Sequence, residues 1–143
     1  MCIRDSSNTS NNYTVGTTLN GGTLKLGAAN VIPDGVGYGN VTVNTAGTLD
    51  IAGVSETING LIGTGTVNNS TGNGSLSIGN NDQTSTFSGV IKGTLALTKI
   101  GSGTLTLSGT NTYSGGTTVN SGELRALTDT TACLLYTSPS PRD

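Results

Sequence analysis

The chain has 143 residues, of which 32% are hydrophobic, 3% aromatic and 10% charged, with a formal net charge of -2 and neither His nor Trp. A typical soluble domain is about 45–50% apolar and about a quarter charged, so this composition excludes a helix bundle, for which Gly and Thr are poor formers, and a compact nucleotide-binding or hydrolase core, which needs more large aliphatics. No apolar run approaches the roughly 18 residues of a membrane-spanning helix, and six Lys plus Arg in no basic stripe argue against a nucleic-acid partner. More than half of the residues are Gly, Thr, Asn or Ser, so order or disorder must be decided by the pattern along the chain.

The first segment, Met1 to Asp5, back-translates as ATG TGT ATA AGA GAC, and the reverse complement of that string is contained in a back-translation of Cys133 to Thr137 extended by the first base of the next codon. The two ends read as one DNA sequence taken from opposite strands. They resemble the transposon end of a sequencing-library adapter, which Ser138 to Asp143 continues. On this reading residues 1–6 and 133–143 are adapter-derived scars and residues 7–132 are the repeat region, an internal piece of a longer polypeptide. Met1 is then no start site, and a missing signal peptide carries no information about secretion. Cys2 and Cys133 both fall in the scars, so no disulfide between them is expected, and the cysteine-free remainder selects no compartment.

Next comes a repeat. Asn11 to Leu26 aligns without gaps on Asn111 to Ala126, with eight of sixteen positions identical, where composition alone gives roughly one to two. A shorter unit recurs along the chain: an aliphatic residue, Asn, a Gly-containing turn, a small residue, Leu, any residue, an aliphatic. It spans Leu19-Asn20 to Leu26, Val43-Asn44 to Ile51, Val67-Asn68 to Ile78 and Val119-Asn120 to Ala126. Gly93 to Leu97 and Gly103 to Leu107 are related strands without the Asn. Leu24, Leu49, Leu76, Leu95 and Leu124 mark successive units. Within each unit apolar and polar residues alternate, as in Thr104-Leu105-Thr106-Leu107 and Val41-Thr42-Val43, which predicts half-buried strands. Short strands about every 20 to 27 residues with hardly any helix signal predict an all-β parallel β-helix of about five or six rungs. Such a core is thin, and like residues stack about 4.7–4.9 Å apart from rung to rung. Gly is expected at corners. Asn20, Asn44, Asn68 and Asn120 are expected where strands turn.

The stretch LTKIGSGTLTLSGTNTYSGGTTVNSGEL, Leu97 to Leu124, resembles the autotransporter-associated β-strand repeat, also called the passenger-associated transport repeat. Its hallmarks stand here as Gly101, Gly103, Thr104, Leu105, Leu107, Ser108, Gly109, Asn111, Thr112, Tyr113, Gly115, Gly116, Thr117, Thr118, Val119, Asn120, Gly122 and Leu124. A partial copy covers Asn11 to Leu26, where Val15 replaces the usual Gly; Glu123 replaces the usual Thr in the second copy. Gly39 to Ile51, Glu56 to Leu61 and Thr86 to Ile91 resemble the linking rungs of multi-repeat members. The resemblance implies a right-handed parallel β-helix in the passenger of a bacterial cell-surface protein, located outside the cell. It further implies an outer-membrane translocator barrel as partner, not contained in this chain, and a role as stalk and as export and folding module. The hallmark residues are then structural.

Sharper chemistry has little support. With no His, no cysteine outside the scars and no Gly-x-Ser-x-Gly elbow, a nucleophilic triad lacks its parts, and the carboxylates Asp34, Asp50, Glu56, Asp82, Glu123 and Asp129 are scattered rather than paired for glycoside or uronate chemistry. Asp50 is expected in the outward position that Lys25 and Arg125 share, giving a weak ion pair with Lys25. No catalytic residue, cofactor or metal site is expected; Gly72-Asn73-Gly74 and Gly79 to Asp82 only echo a calcium nonapeptide. Gly63-Thr64-Gly65 and Gly101-Ser102-Gly103 lack the following helix and Lys of a phosphate loop. Asn12-Tyr13-Thr14 and Asn40-Val41-Thr42 match a glycosylation acceptor, which an Asn/Thr-rich chain produces readily. Adhesion to a host or glycan surface is the principal alternative function. Ice is a lesser one, resting on Thr64-Gly65-Thr66, Thr84-Ser85-Thr86 and Thr104-Leu105-Thr106 as one column; ordinary outward threonine is the plainer reading. Tyr13 and Tyr113 hold equivalent positions, which favours packing over a sugar platform.

Overall fold

The computed structural model describes residues 3–127, and among them every regular element is a strand. In chain order these are β1 (Ile3–Ser6), β2 (Thr17–Leu26), β3 (Val41–Asp50), β4 (Ser55–Ile58), β5 (Leu61–Gly63), β6 (Thr66–Ile78), β7 (Ser85–Phe87), β8 (Val90–Lys99), β9 (Thr104–Leu107), β10 (Thr117–Val119) and β11 (Glu123–Ala126). All pairings are parallel, and none joins strands consecutive in sequence except β1 to β2 and β2 to β3. That is the signature of a coil in which each turn stacks on the last. The molecule is a parallel β-solenoid of about six turns.

Three ladders run along the axis. The first holds the start of β2 and of β3, then β5, β7, β9 and β11: Thr17 pairs with Val41, Val41 with Leu61, Gly63 with Phe87, Phe87 with Leu107, and Leu105 with Leu124. In the second, Arg4, Leu24, Leu49, Val67 and Ile91 succeed one another. It is continued by Thr112 N donating to Ile91 O at 2.8 Å and Ser114 N to Gly93 O at 3.1 Å. The third carries Glu56, Leu76, Leu97 and Thr117 in register. Long strands β2, β3, β6 and β8 bend through a corner and so serve two ladders.

Alternation determines which side chains enter. In β9 the pattern is half-buried Thr104, buried Leu105, half-buried Thr106, buried Leu107. Inward positions stack like on like: Leu49, Val67 and Ile91 in the second ladder, Leu76 and Leu97 in the third, Leu61, Phe87, Leu105 and Leu107 in the first, all buried. Each rung contributes few aliphatics, but those of the inner rungs are covered by a turn on either side, so a chain with 32% hydrophobic residues closes a continuous core. Turn length varies because corners absorb extra residues. The longest insertions are Ser70 to Asn73, at the register shift between Asn69 and Gly74, and the segment 33–40 between the third ladder and the first.

The repeats do not sit where a fixed turn length would place them. Thr17 to Leu19 lie in the first ladder, whereas the aligned Thr117 to Val119 lie in the third; Thr23 to Leu26 lie in the second, whereas Glu123 to Ala126 lie in the first. The two copies are thus offset by one face. Likewise Asn20 and Asn44 follow first-ladder strands, Asn68 lies within the second ladder opposite Asp50 and Lys92, and Asn120 follows the third. The four are not one corner column, because each of the three corners is built with the same Asn and Gly chemistry. Leu24 and Leu49 share the second ladder, Leu76 and Leu95 lie in the third, and Leu124 in the first.

β1 falls within the six residues read as adapter-derived. Its backbone pairs with β2, an edge open to any extended segment whatever its origin. Cys2, Asp129 and residues 133–143 lie outside the described residues.

Candidate functional site

The segment from Leu97 onward is the part of the chain with the most specific sequence signal. Its 30 residues, from Leu97 to Ala126, span the end of β8, then β9, β10 and β11. Both later strands pair inside the segment: Leu97 with Thr117 and Lys99 with Val119, then Thr104 with Glu123 and Leu105 with Leu124. The segment therefore contains its own turn-to-turn contact.

The hallmark glycines lie at close approaches. A Cβ on Gly109 would stand 1.8 Å from Gly89 O, and one on Gly89 2.0 Å from Gly65 O. At the corner between third and first ladders, a Cβ on Gly101 would stand 1.9 Å from Gly79 O and one on Gly122 2.4 Å from Gly101 O. Gly103 and Gly115 are pressed equally hard, against Gln83 O and the Leu95 carbonyl carbon, while Gly116 faces open space with φ of 87°. Leu105, Leu107 and Val119 are core side chains; Leu124 is half-buried and Thr104 faces outward. Asn111 is buried, with Oδ1 accepting Ile91 N at 2.9 Å and Nδ2 donating to Gly109 O at 3.1 Å. Tyr113 is 2% exposed, and its hydroxyl lies 2.5 Å from that of buried Thr117. Asn120 is exposed, and its backbone N donates to Lys99 O at 2.9 Å.

Polar groups that alternation directs inward are all engaged. Glu56, 2% exposed, accepts Val31 N at 3.1 Å and Ile32 N at 2.7 Å, replacing the strand partner that β4 lacks on that side. Burial pushes its carboxyl above the usual range, against the pull of the backbone N–H groups of Ile32, Val31 and Asn30; the charge of Asp34 adds to the rise. Asn59 accepts Gly35 N at 2.7 Å and donates to the carbonyls of Gly35, Tyr38 and Gly39. Lys99, 1% exposed, threads its stem between Ile78 and Val119 and donates to Ile100 O and, at 3.0 Å, to Gly101 O. Burial lowers its pKa, partly opposed by Asp82. Sequence reading passed over Glu56 and Lys99 as core residues, although their phase signals it: each lies two residues from an inward aliphatic, Ile58 and Leu97.

Three expectations change. Lys25 and Asp50 are register partners, but Arg125 lies one ladder away, and the Asp50 carboxylate turns to Ser70, accepting its N at 2.9 Å and its hydroxyl at 2.6 Å, and to Ala52 N. Asp50 is buried where these donors replace water, so the half-buried Lys25 offers it less. The ion pair among the described residues is instead Arg125 to Glu123, 2.7 Å, on the surface. Finally, Thr86 pairs with Thr106, and Thr84 accepts Thr104 N at 3.2 Å, but Thr64 turns at a corner toward Thr45 and Thr66 enters the second ladder. Unequal turn lengths break the three-pair column, and Ile62 stands opposite Thr42 in that file. No cluster of His, Cys, Asp or Glu able to hold a metal occurs among the described residues, nor any helix long and apolar enough to cross a membrane.

The class is set by this architecture: a thin parallel solenoid with aliphatic files inside, hydroxyl and amide files outside, and glycine-sealed corners. Residues 97–126 match the family model described as the passenger-associated-transport-repeat. The adhesin BmaC autotransporter of Brucella suis biovar 1 (strain 1330) is 40% identical over 117 residues, which cover 79% of this chain and 3% of that protein. No solved structure matches. Residues 97–126 thus carry a passenger-associated-transport-repeat, in a chain similar to a short stretch of an autotransporter adhesin.

Proposed function

We propose that residues 7–132 act as a non-catalytic β-helix module in the passenger of an autotransporter-like bacterial surface protein, serving as stalk and as export and folding unit outside the cell. Its partner is the protein's own outer-membrane translocator barrel. The observation that carries this reading is the internal pairing of the matched segment: β10 on β8 and β11 on β9 place turn-to-turn contacts on two of the three ladders within residues 97–126. The costly step in building a solenoid is the first stacked pair of turns, after which each added turn finds a ready edge. A 30-residue segment that pairs two of its three faces internally is suited to start the stack as the chain emerges.

The test is display of the full chain between a signal peptide and a translocator barrel, compared with a version lacking residues 97–126. Protease resistance of the displayed passenger on intact cells reads folding. Loss of resistant passenger is expected; equal amounts of resistant passenger from both would refute the seeding role.

A second reading, a module that binds host or glycan surfaces, is favoured by the name of the 40% identical relative, an adhesin. Binding of the displayed chain to a glycan array, abolished by prior unfolding, would support it; absence of binding would leave the stalk role alone.

A further inference from the structure

The sequence contains three Asn-Gly steps, Asn20-Gly21, Asn59-Gly60 and Asn73-Gly74, and the fold treats them in two ways. Glycine after asparagine leaves the following backbone nitrogen unhindered, so it can attack the side-chain amide carbon wherever the backbone is free to bring the two together. Asn20 stands in the register shift between Leu19 and Gly21, where β2 and β3 lose step. Asn73 stands in the other one, between Asn69 and Gly74 of β6. Both side chains are exposed. Neither asparagine has a register partner on a neighbouring turn; the glycine after each one does, Gly21 with Ala46 and Gly74 with Leu95, so the rotation that brings the two groups together falls on the unpaired asparagine at the edge of the register shift.

Asn59-Gly60 is held in the opposite manner. Both residues are buried. The Asn59 amide is fixed by Gly35 N and by the carbonyls of Gly35, Tyr38 and Gly39, and the nitrogen that would attack, Gly60 N, donates to Asn40 Oδ1 at 2.8 Å. Electrophile and nucleophile are each committed elsewhere.

We infer that Asn20 and Asn73 are sites of spontaneous modification to aspartate and isoaspartate in the folded protein, and that Asn59 is protected until the first two turns open. The backbone nitrogen of Gly21 or Gly74 bonds to the asparagine Cγ and loses its proton, the Cγ–Nδ2 bond breaks, and ammonia leaves with that proton. Water then opens the resulting cyclic imide at either carbonyl, giving aspartate or isoaspartate with one added negative charge and no change of oxidation state. Isoaspartate also adds a methylene to the main chain. At position 20 that falls beside Asn44, whose Nδ2 donates to Asn20 Oδ1 at 2.7 Å.

The full chain is incubated at mildly alkaline pH, folded and in denaturant, and the three peptides are followed by mass spectrometry. In denaturant all three convert at similar rates. In the folded chain Asn20 and Asn73 continue to convert, while Asn59 slows by at least about tenfold, because its reaction must wait for local opening. Equal conversion of Asn59 and Asn73 in the folded chain overturns the assignment, and so does protection of Asn20 and Asn73 to the level of Asn59. Asn40→Ala, which releases Gly60 N, accelerates Asn59 alone; acceleration at all three sites would mean general unfolding and would count against a local lock.

Discussion

Residues 11–26 and 111–126 share half of their side chains and the same internal bond, Tyr13 to Thr17 at 2.8 Å and Tyr113 to Thr117 at 2.5 Å. Yet they occupy different ladders and different depths. Tyr13 is 40% exposed and Tyr113 2%; Val15 is 77% exposed, while its counterpart Gly115 is pressed against Leu95. The second copy is preceded by the strands on which it stacks, β8 and β9. The first copy stacks on β3, which comes later in the chain, and only its last four residues have an earlier strand, β1, on their other side. A repeat of this kind specifies its own bends, and its neighbours decide how much of it is buried.

The largest effect should come from exchanging the residues that differ. Gly115→Val forces side-chain atoms into the Leu95 backbone and should cost about 3 kcal/mol or more, read as a lower urea midpoint with unchanged slope. Val15→Gly should change stability by no more than about 0.5 kcal/mol. Comparable losses at both positions would mean that the two copies are equally packed.

Removing the shared hydroxyl separates them less sharply. Tyr113→Phe leaves the Thr117 hydroxyl buried without that partner and should cost about 1–3 kcal/mol, against a few tenths for Tyr13→Phe, where water replaces the lost bond.

Two buried charges allow the ends to be compared by pH. Glu56 secures the segment beside the first copy, and its folded pKa is raised by burial. Its stabilising contribution is then complete below the ordinary value of 4.5 and is lost as pH rises through the folded value. Lys99 lies under the second copy with a lowered pKa. The folded state binds fewer protons there, so stability rises with pH from the folded value toward 10.5. Glu56→Gln should flatten the acid limb of stability against pH and Lys99→Met the alkaline limb; a variant that shifts the whole curve without changing the slope of its limb would mean that another group is titrating.

The smallest change is expected at the surface. Arg125→Gln breaks the bond to Glu123, and should leave the unfolding midpoint unmoved at moderate salt, where exposed pairs are screened.

Much of the fold was legible because period-two alternation and Gly or Asn punctuation are local properties, read without knowing what lies alongside. Leu105 and Leu107 point inward for the reason their spacing suggests. What stayed hidden depends on turn length. Asn68 and Asn120 look like Asn20 because all three corners demand the same small polar residues, and only the insertion at 70–73 and the short connections elsewhere fix which corner each one reaches. Asp50 looked like a surface partner for Lys25 because sequence shows register but not the competing donors of Ser70. Glu56 and Lys99 were hidden by their charge, although their phase placed them inside.

The glycine files at Gly65, Gly89 and Gly109 and at Gly79, Gly101 and Gly122 also set a dimension. Each brings a backbone atom of one turn into direct contact with a carbonyl of the next, so the rise of every turn is gauged at two corners. Extra residues such as 70–73 or 33–40 must then leave sideways. The reach of the molecule grows with the number of turns, about 4.7–4.9 Å at a time, whereas insertions change only its girth. A protein built this way can acquire new loops along its shaft without altering how far its tip stands from its base.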